Sequence, residues 1–148
     1  NLQLNYSNFI GYNLVEDYPS MRLFHNLYAV YEPTAKWGFT FGLDVGTDRT
    51  AGSTYDAWYS PVAITRITWN KKIRTAFRAE YYSDKNQLMI STTSPRGIQL
   101  LGLSSNLDYQ MAKKWLWRLE AKNFHSNELL FGPDKSNFYI ASSLSVKL

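Results

Sequence analysis

Apolar and polar side chains alternate along most of this chain with a repeat of two residues. In residues 115–122, one face carries Trp115, Trp117, Leu119 and Ala121, and the other carries Arg118, Glu120 and Lys122. A repeat of two residues predicts a β-strand. Full charges in the middle of a strand are typical of a closed barrel with an apolar outside and a wet inside, as in proteins that cross a membrane with strands.

Eight segments follow this pattern. They are residues 2–13, 21–32, 36–47, 57–69, 73–83, 97–110, 114–125 and 137–148. Each has at least the roughly 9–11 residues that a tilted strand needs to cross an outer membrane. The sequence therefore predicts an all-β chain, an antiparallel up-and-down transmembrane β-barrel with about eight strands, and a single domain over residues 1–148.

The predicted connections alternate between short and long. Tight turns are expected at 32–36, 70–72 and 110–114, and longer polar loops near 14–20, 48–56, 84–96 and 126–136. This asymmetry is typical of outer-membrane barrels. An even strand count places both termini on the rim with the short turns, which is expected to be the periplasmic side. In the third long loop, Leu88, Met89 and Ile90 are expected to extend a hairpin.

Aromatic residues make up 16% of the chain, which is high for a small soluble domain. The apolar residues beside each tight turn share the apolar face: Tyr31 with Trp37, Trp69 with Ile73, and Tyr109 with Trp115. Amphipathic rings at one depth are typical of a lipid–water boundary. We expect one aromatic girdle of Tyr31, Trp37, Trp69, Tyr109, Trp115 and Trp117, and a second near the long loops with Tyr12, Tyr59, Tyr81 and Phe124.

The polar face supplies the candidate functional residues. The charged side chains expected to face the lumen are Arg66, Arg74, Arg78, Glu80, Asp108, Arg118, Glu120 and Lys122, together with Arg22 and Asp44. In a narrow barrel these charges pair and fill the interior. In a wider barrel they line a pore, and the basic excess favours anions. We expect the arginines at 66, 74, 78 and 118 to set selectivity, and we assign Asp48, Asp56 and Asp84 to loops.

Other classes of function fit the residues less well. The net charge is +4, but Lys36, Lys71, Lys72, Lys113 and Lys114 lie in short turns and Lys147 lies next to the C-terminus. The basic residues thus form no single basic face, so we expect no nucleic-acid binding. His25 and His125 lack metal-ligand spacing, and Ser126 points away from its neighbour His125, so we expect no enzyme, no metal and no cofactor. There is no cysteine.

Several strand motifs resemble those of a known family. They are Trp58-Tyr59, the run Phe77-Arg78-Ala79-Glu80-Tyr81-Tyr82-Ser83-Asp84, the run Leu116-Trp117-Arg118-Leu119-Glu120, and the closing strand 142–148. In these the chain resembles the OmpL-like outer-membrane β-barrel porins of Bacteroidota. The resemblance implies a Gram-negative outer-membrane location and a porin-like role, and it supplies no catalytic residues. Members of that family are longer, so two expectations stay open: a single barrel formed by residues 1–148, or the C-terminal part of a larger barrel. They usually end in an aromatic residue, whereas this chain ends in Leu148.

Three functional interpretations stay open at this point. The first is porin-like passive passage of small solutes or ions. The second is a non-conducting accessory subunit of a larger envelope complex, with a salt-bridged interior. The third is a soluble ligand-binding barrel, since alternation alone does not say which face is inside. For the membrane interpretations the expected partners are outer-membrane lipid, including lipopolysaccharide, and an envelope protein.

Overall fold

The computed structural model describes residues 1–15, 18–49 and 54–147. They form eight strands: β1 Leu2–Val15, β2 Tyr18–Tyr31, β3 Trp37–Arg49, β4 Tyr55–Thr68, β5 Ile73–Asp84, β6 Ile98–Ala112, β7 Trp115–Ser126 and β8 Ser136–Val146. The middle of the loops predicted at 14–20 and 48–56, and Leu148, lie outside the described residues. Within these residues no helix is long and apolar enough to cross a membrane.

All eight strands join one antiparallel sheet in chain order, each hydrogen-bonded to the next. The prediction of an all-β, up-and-down antiparallel fold with eight strands is confirmed. The shortest strand has 11 residues, enough for a tilted crossing of a bilayer. In the described ranges β1 and β8 do not pair with each other, so the sheet is a wall with two free edges.

One rim of the sheet, the short-turn rim, carries the turns between β2 and β3, β4 and β5, and β6 and β7. In the second turn the Asn70 side-chain oxygen accepts two backbone N–H groups, at 2.8 and 3.0 Å. The amino group of Asn1 donates to the Glu32 carbonyl, and the Lys147 N–H donates to the Lys114 carbonyl. Both ends of the described chain therefore lie at this rim, as the even strand count predicts.

The opposite rim, the long-loop rim, departs from the prediction. The prediction of a long loop at 14–20 is wrong, because β1 continues to Val15 and β2 begins at Tyr18. Strand pairing continues there since it satisfies backbone N–H and C=O groups whatever the side chains are. The two long connections of this rim that the structure describes are 85–97 and 127–135.

The connection 85–97 has a structure of its own. Leu88, Met89 and Ile90 do not extend the hairpin, so that prediction is wrong. Their backbone N–H groups donate to the Asp84 carboxylate, at 2.8, 2.8 and 3.2 Å. A side-chain acceptor at the strand end competes with the ladder for these donors and turns the chain away from the sheet.

Residues flanking the short turns share a face as predicted, but two of the turns shift the direct partners. Tyr31 lies opposite Phe39 and not Trp37, and Tyr109 lies opposite Trp117. A β-bulge between Gln110 and Ala112, next to the second of these turns, shifts the register by one residue. Because the observed partners differ from the predicted ones by two residues, the flanking residues keep the predicted face.

The sheet curves around its charged face. Glu80 of β5 reaches Lys122 of β7 at 2.5 Å, and the rings of Phe24 in β2 and Trp58 in β4 have centroids 5.8 Å apart. Strands two apart in a flat sheet are separated by roughly 9–10 Å. Contacts across a whole strand therefore make the charged face the concave one, and the apolar face is convex.

Glycines on the concave face make room for large side chains of the neighbouring strand. Three glycines of β3 lie four residues apart, each covered by a β4 side chain: Arg66 over Gly38, Val62 over Gly42 and Trp58 over Gly46. A Cβ atom at position 46 would lie 2.2 Å from the indole Nε1. These positions exclude any larger side chain while the β4 residue keeps its place.

The Gly46→Ala substitution tests this packing. The new Cβ has to displace the rigid indole of Trp58, and overpacking of this kind costs about 1–3 kcal/mol, against about 0.5–1 kcal/mol gained by replacing a strand glycine. We expect the free energy of unfolding, measured by urea titration in detergent micelles, to fall by about 1–2 kcal/mol. Ala63→Val on the exposed convex side of β4 is the matched control and should change it by less than about 0.5 kcal/mol. Equal effects of the two variants would contradict the packing argument.

Candidate functional site

All ten charged residues predicted to face the lumen lie on the concave face. The half nearer the short-turn rim holds six of them: Arg66, Arg74, Arg78, Asp108, Arg118 and Glu120. Arg118 on β7 binds Asp108 on β6 through two parallel hydrogen bonds, at 2.6 and 2.7 Å. The Asn106 amide donates to the same carboxylate at 2.9 Å. Asp108 is buried and fully engaged, so this pair holds β6 and β7 together on the inside.

A second ion-pair group spans β5 to β7. Glu80 accepts from both Arg78 and Lys122, and its side chain passes over Gly102 of the intervening strand. The carboxylate and the ammonium group are both largely shielded from solvent, with 17% and 14% of the side chains exposed. Removing one partner here leaves a charge in a poorly solvated place.

Two arginines of this half have different surroundings. Arg66 crosses Gly38 and binds Glu32 at the short-turn rim, at 2.6 Å. Arg74 lies directly opposite Asp108, but within the described residues it has no carboxylate within 4 Å because Arg118 occupies that group. Arg74 is thus an exposed guanidinium whose charge is not neutralised by a contact. Glu120 likewise has no ion pair in the part of the chain that the structure describes.

The charged side chains surround a cavity of about 380 Å³ between β2 and β7. Its charged lining consists of Arg66, Arg74, Arg118, Glu32 and Asp108, so guanidinium groups predominate. A polar cavity of this size holds water and small solutes. The structure therefore brings three of the four predicted selectivity arginines to one place, and Arg78 lies further along the face.

The basic excess predicted for the whole face is wrong. Asp48, Asp56 and Asp84 lie in strands and on the concave face, and not in loops. With Glu32 included, the half nearer the short-turn rim carries four basic and three acidic side chains. The half nearer the long-loop rim carries Arg22 and Lys122 with Glu80 and four aspartates. Charge on this face is therefore divided along the strands, with a small basic excess at one end and an acidic excess at the other.

The acidic half is held by its own contacts. Arg22 binds Asp48 at 2.6 Å, and the Asn26 amide donates to Asp44 at 2.6 Å. Asp84 has no exposed surface because it holds the start of the 85–97 connection. These carboxylates are engaged by donors within the fold.

The six residues of the predicted girdle lie on the convex side near the short-turn rim. Two indole N–H groups find hydroxyl acceptors on neighbouring strands, Trp69 with Thr75 at 2.9 Å and Trp117 with Ser142 at 2.8 Å. Phe39, which the sequence analysis missed, packs with Tyr31 and Trp37 at the same level. Their position at a lipid boundary stays a prediction.

The second predicted girdle is wrong in one member. Phe124 lies on the concave face, two residues from Lys122, whose ammonium group lies 4.4 Å from the ring centroid. Residues two apart in a strand share a face, so Phe124 lies on the same concave face as Lys122. Tyr59 and Tyr81 do lie together on the convex side, with centroids 6.0 Å apart.

Both histidines point to the convex face. His25 bonds the Tyr6 hydroxyl at 2.7 Å, and His125 bonds Ser136, not Ser126, at 2.8 Å. The described residues place no carboxylate on either ring, and no three potential metal ligands among them form a cluster. The absence of catalysis and of a metal stays a prediction.

The apolar side chains are on the outside. Across the described ranges, Ile67 and Ile98 alone among hydrophobic residues are buried, whereas large apolar side chains of all eight strands are exposed, mostly on the convex face. A soluble barrel would enclose them and expose its charges. The charged concave face and apolar convex face together define the strand-built class of membrane proteins.

Comparison with known families agrees with this class. The chain belongs to the family described as "Putative beta-barrel porin-2, OmpL-like", which it matches over residues 1–147. The predicted family resemblance is thereby confirmed, and the soluble alternative is disfavoured. No curated protein and no solved structure matches the chain.

Glu80→Gln tests the inner ion-pair group. The change leaves Lys122 and Arg78 without their shared carboxylate, and we expect the free energy of unfolding in micelles to fall by about 1–3 kcal/mol. Glu128→Gln is the control, because its partner Arg96 is 76% exposed and 3.3 Å away. The control should cost less than about 0.5 kcal/mol. A Glu80→Gln protein as stable as the control would show that the group contributes nothing.

Proposed function

We propose that this chain forms the wall, or a section of the wall, of an outer-membrane β-barrel through which small solutes or ions pass by passive diffusion. The observation that carries the proposal is the division between a charged concave face and an apolar convex face. A charged face that curves inward needs water beside it, and an exposed apolar face needs lipid. Family membership supports the same role.

The outward surroundings follow from this arrangement. The convex face contacts outer-membrane lipid, including lipopolysaccharide, and the short-turn rim with both described chain ends faces the periplasm. The rim turns carry Lys36, Lys71, Lys72, Lys113 and Lys114, which suit the headgroups of an anionic inner leaflet. We assign no catalytic step to this chain, because the His125–Ser136 pair lacks an acidic third group among the described residues.

Closure of the barrel requires partners for β1 and β8. Unpaired backbone groups cost several kcal/mol each in hydrocarbon, so both edges have to be hydrogen-bonded in a bilayer. We propose that further strands join these edges and widen the enclosure. Such widening leaves the cavity beside Arg74 open to water, because the eight described strands do not fill it.

Arg74 is the residue on which we expect ion selectivity to depend most. Arg66 and Arg118 are neutralised by Glu32 and Asp108, whereas Arg74 has no ion pair in the described structure. A unit charge about 6 Å from a passing ion in water changes its energy by about 0.7 kcal/mol, roughly threefold in local concentration.

Arg74→Gln lowers the local anion concentration about threefold and raises that of cations about threefold, so the anion-to-cation permeability ratio should fall by about tenfold. The measurement is the reversal potential across planar bilayers under a salt gradient. Arg96→Gln, at an exposed guanidinium in the 85–97 connection, is the control and should leave the ratio unchanged. An unchanged ratio in both variants would contradict the role of Arg74. Electrically silent bilayers, with a stoichiometric envelope protein that co-purifies, would replace the pore with the accessory-subunit function.

A further inference from the structure

A second set of aromatic side chains lies on the concave face, among charges, near the long-loop rim. Phe24, Trp58 and Tyr82 form a continuous row, which we call the aromatic lane. The Phe24 and Trp58 rings are nearly parallel, at 19° with centroids 5.8 Å apart, and Tyr82 follows at 6.1 Å from Trp58. None of the three is buried, so the lane presents ring surface to the enclosed space.

The lane depends on Gly46. This glycine lies between Phe24 and Trp58 in the sheet register, and its missing side chain is what lets the indole cross β3 toward the phenyl ring. Trp58 is the one tryptophan of five that lies on the concave face. Its indole N–H has no acceptor among the described residues, unlike those of Trp69 and Trp117.

A cavity of about 380 Å³ lies against the lane. Phe9 and Met89 add apolar surface to it, and Met89 comes from the connection that Asp84 holds in place. The cavity is thus bounded by rings on the sheet side and by an anchored loop residue on another side. Its volume suits a ligand of one or two sugar rings.

Polar side chains flank the lane on both sides along the strands. Two residues toward the long-loop rim are Arg22, Asp48, Asp56 and Asp84, and two residues in the other direction are Asn26, Asp44, Ser60 and Glu80. Two residues along a strand cover about 6.6 Å, so each flank lies at the edge of a ring placed on the lane. Carboxylate, amide and guanidinium groups are the planar, paired donors and acceptors that bind vicinal hydroxyls.

The charges of this half limit the ligand. The aspartates around the lane outnumber Arg22, which disfavours anions. Arg22 pairs with Asp48, and the Asn26 amide occupies one oxygen of Asp44, so these two carboxylates are held in fixed positions. Flat apolar surface with carboxylate and amide acceptors and donors at its edges suits an uncharged ring that bears hydroxyl groups.

We propose that the aromatic lane is a binding subsite for neutral saccharides, with a pyranose ring stacked on Trp58 and its hydroxyls bound by the flanking polar groups. The proposal rests on the proposed function, because it places the subsite in the passage for solutes. It adds the class of solute. It also assigns ion selectivity to the end of the concave face near Arg74 and saccharide binding to the end near Trp58.

The test uses the intact protein and maltohexaose as the probe. We expect maltohexaose to interrupt the ion current in planar bilayers and to change the tryptophan fluorescence in micelles. Trp58→Ala should weaken both effects about tenfold, the equivalent of one lost aromatic contact, and Trp58→Phe should weaken them less. Folding of each variant is checked by comparing the gel migration of heated and unheated protein. If Trp58→Ala does not fold, Phe24→Leu is the second variant.

Trp115→Ala on the convex face is the control and should leave both effects unchanged. An ion current that maltohexaose, cellohexaose and xylohexaose all leave unaffected would overturn the subsite while the pore stands. A fluorescence response to choline and none to saccharides would overturn it as well, because the lane would then be a cation site. A saccharide response in micelles without any ion current would keep the subsite and remove the pore.

Discussion

The arrangement of this protein depends on one constraint, the pairing of antiparallel neighbours. Residues directly opposite each other point to the same side of the sheet, so the side on which one strand places its charged residues fixes that side for the next strand. From β2 to β6 the pairing has no register shift, and the shift in the β6–β7 pair is confined to Gln110–Ala112, next to the short turn. Arg118, Lys122 and Glu80 therefore share a face although they lie on different strands. In a bilayer the same pairing satisfies every backbone polar group between neighbours, which is why the free edges of β1 and β8 matter.

Much of this was predictable, because alternation and pairing are local. The eight strands and the side on which Arg118 lies follow from residue spacing alone. Long-range choices were not predictable in that way. Asp48 and Asp56 look like loop residues by composition, yet backbone pairing carries them into strands. Asp84 takes the N–H groups of the next connection, which only the folded geometry shows. Phe124 resembles a girdle residue by its aromatic character, yet its spacing from Lys122 places it inside. Local alternation also does not determine which strands pair with the free edges of β1 and β8.

The glycines explain how large side chains fit on a concave surface. Curvature brings side chains of alternate strands together, and the strand between them needs room for both. Gly46 provides that room for the aromatic lane, and Gly102 provides it for Glu80 and its two cationic partners. The same device thus serves an apolar contact and an ionic contact on one face. Small residues on a polar face are therefore part of the packing, and are not filler between charges.

The separation of basic and acidic side chains along the strands has an electrical consequence. A lining that is positive at one mouth and negative at the other carries a built-in field along its axis. In the proposed pore, mobile anions would accumulate near Arg74 and mobile cations near Asp44, so the two ion types would be enriched in series rather than side by side. A conduit of this kind rectifies: its conductance differs with the sign of the applied voltage, even when identical salt solutions lie on both sides.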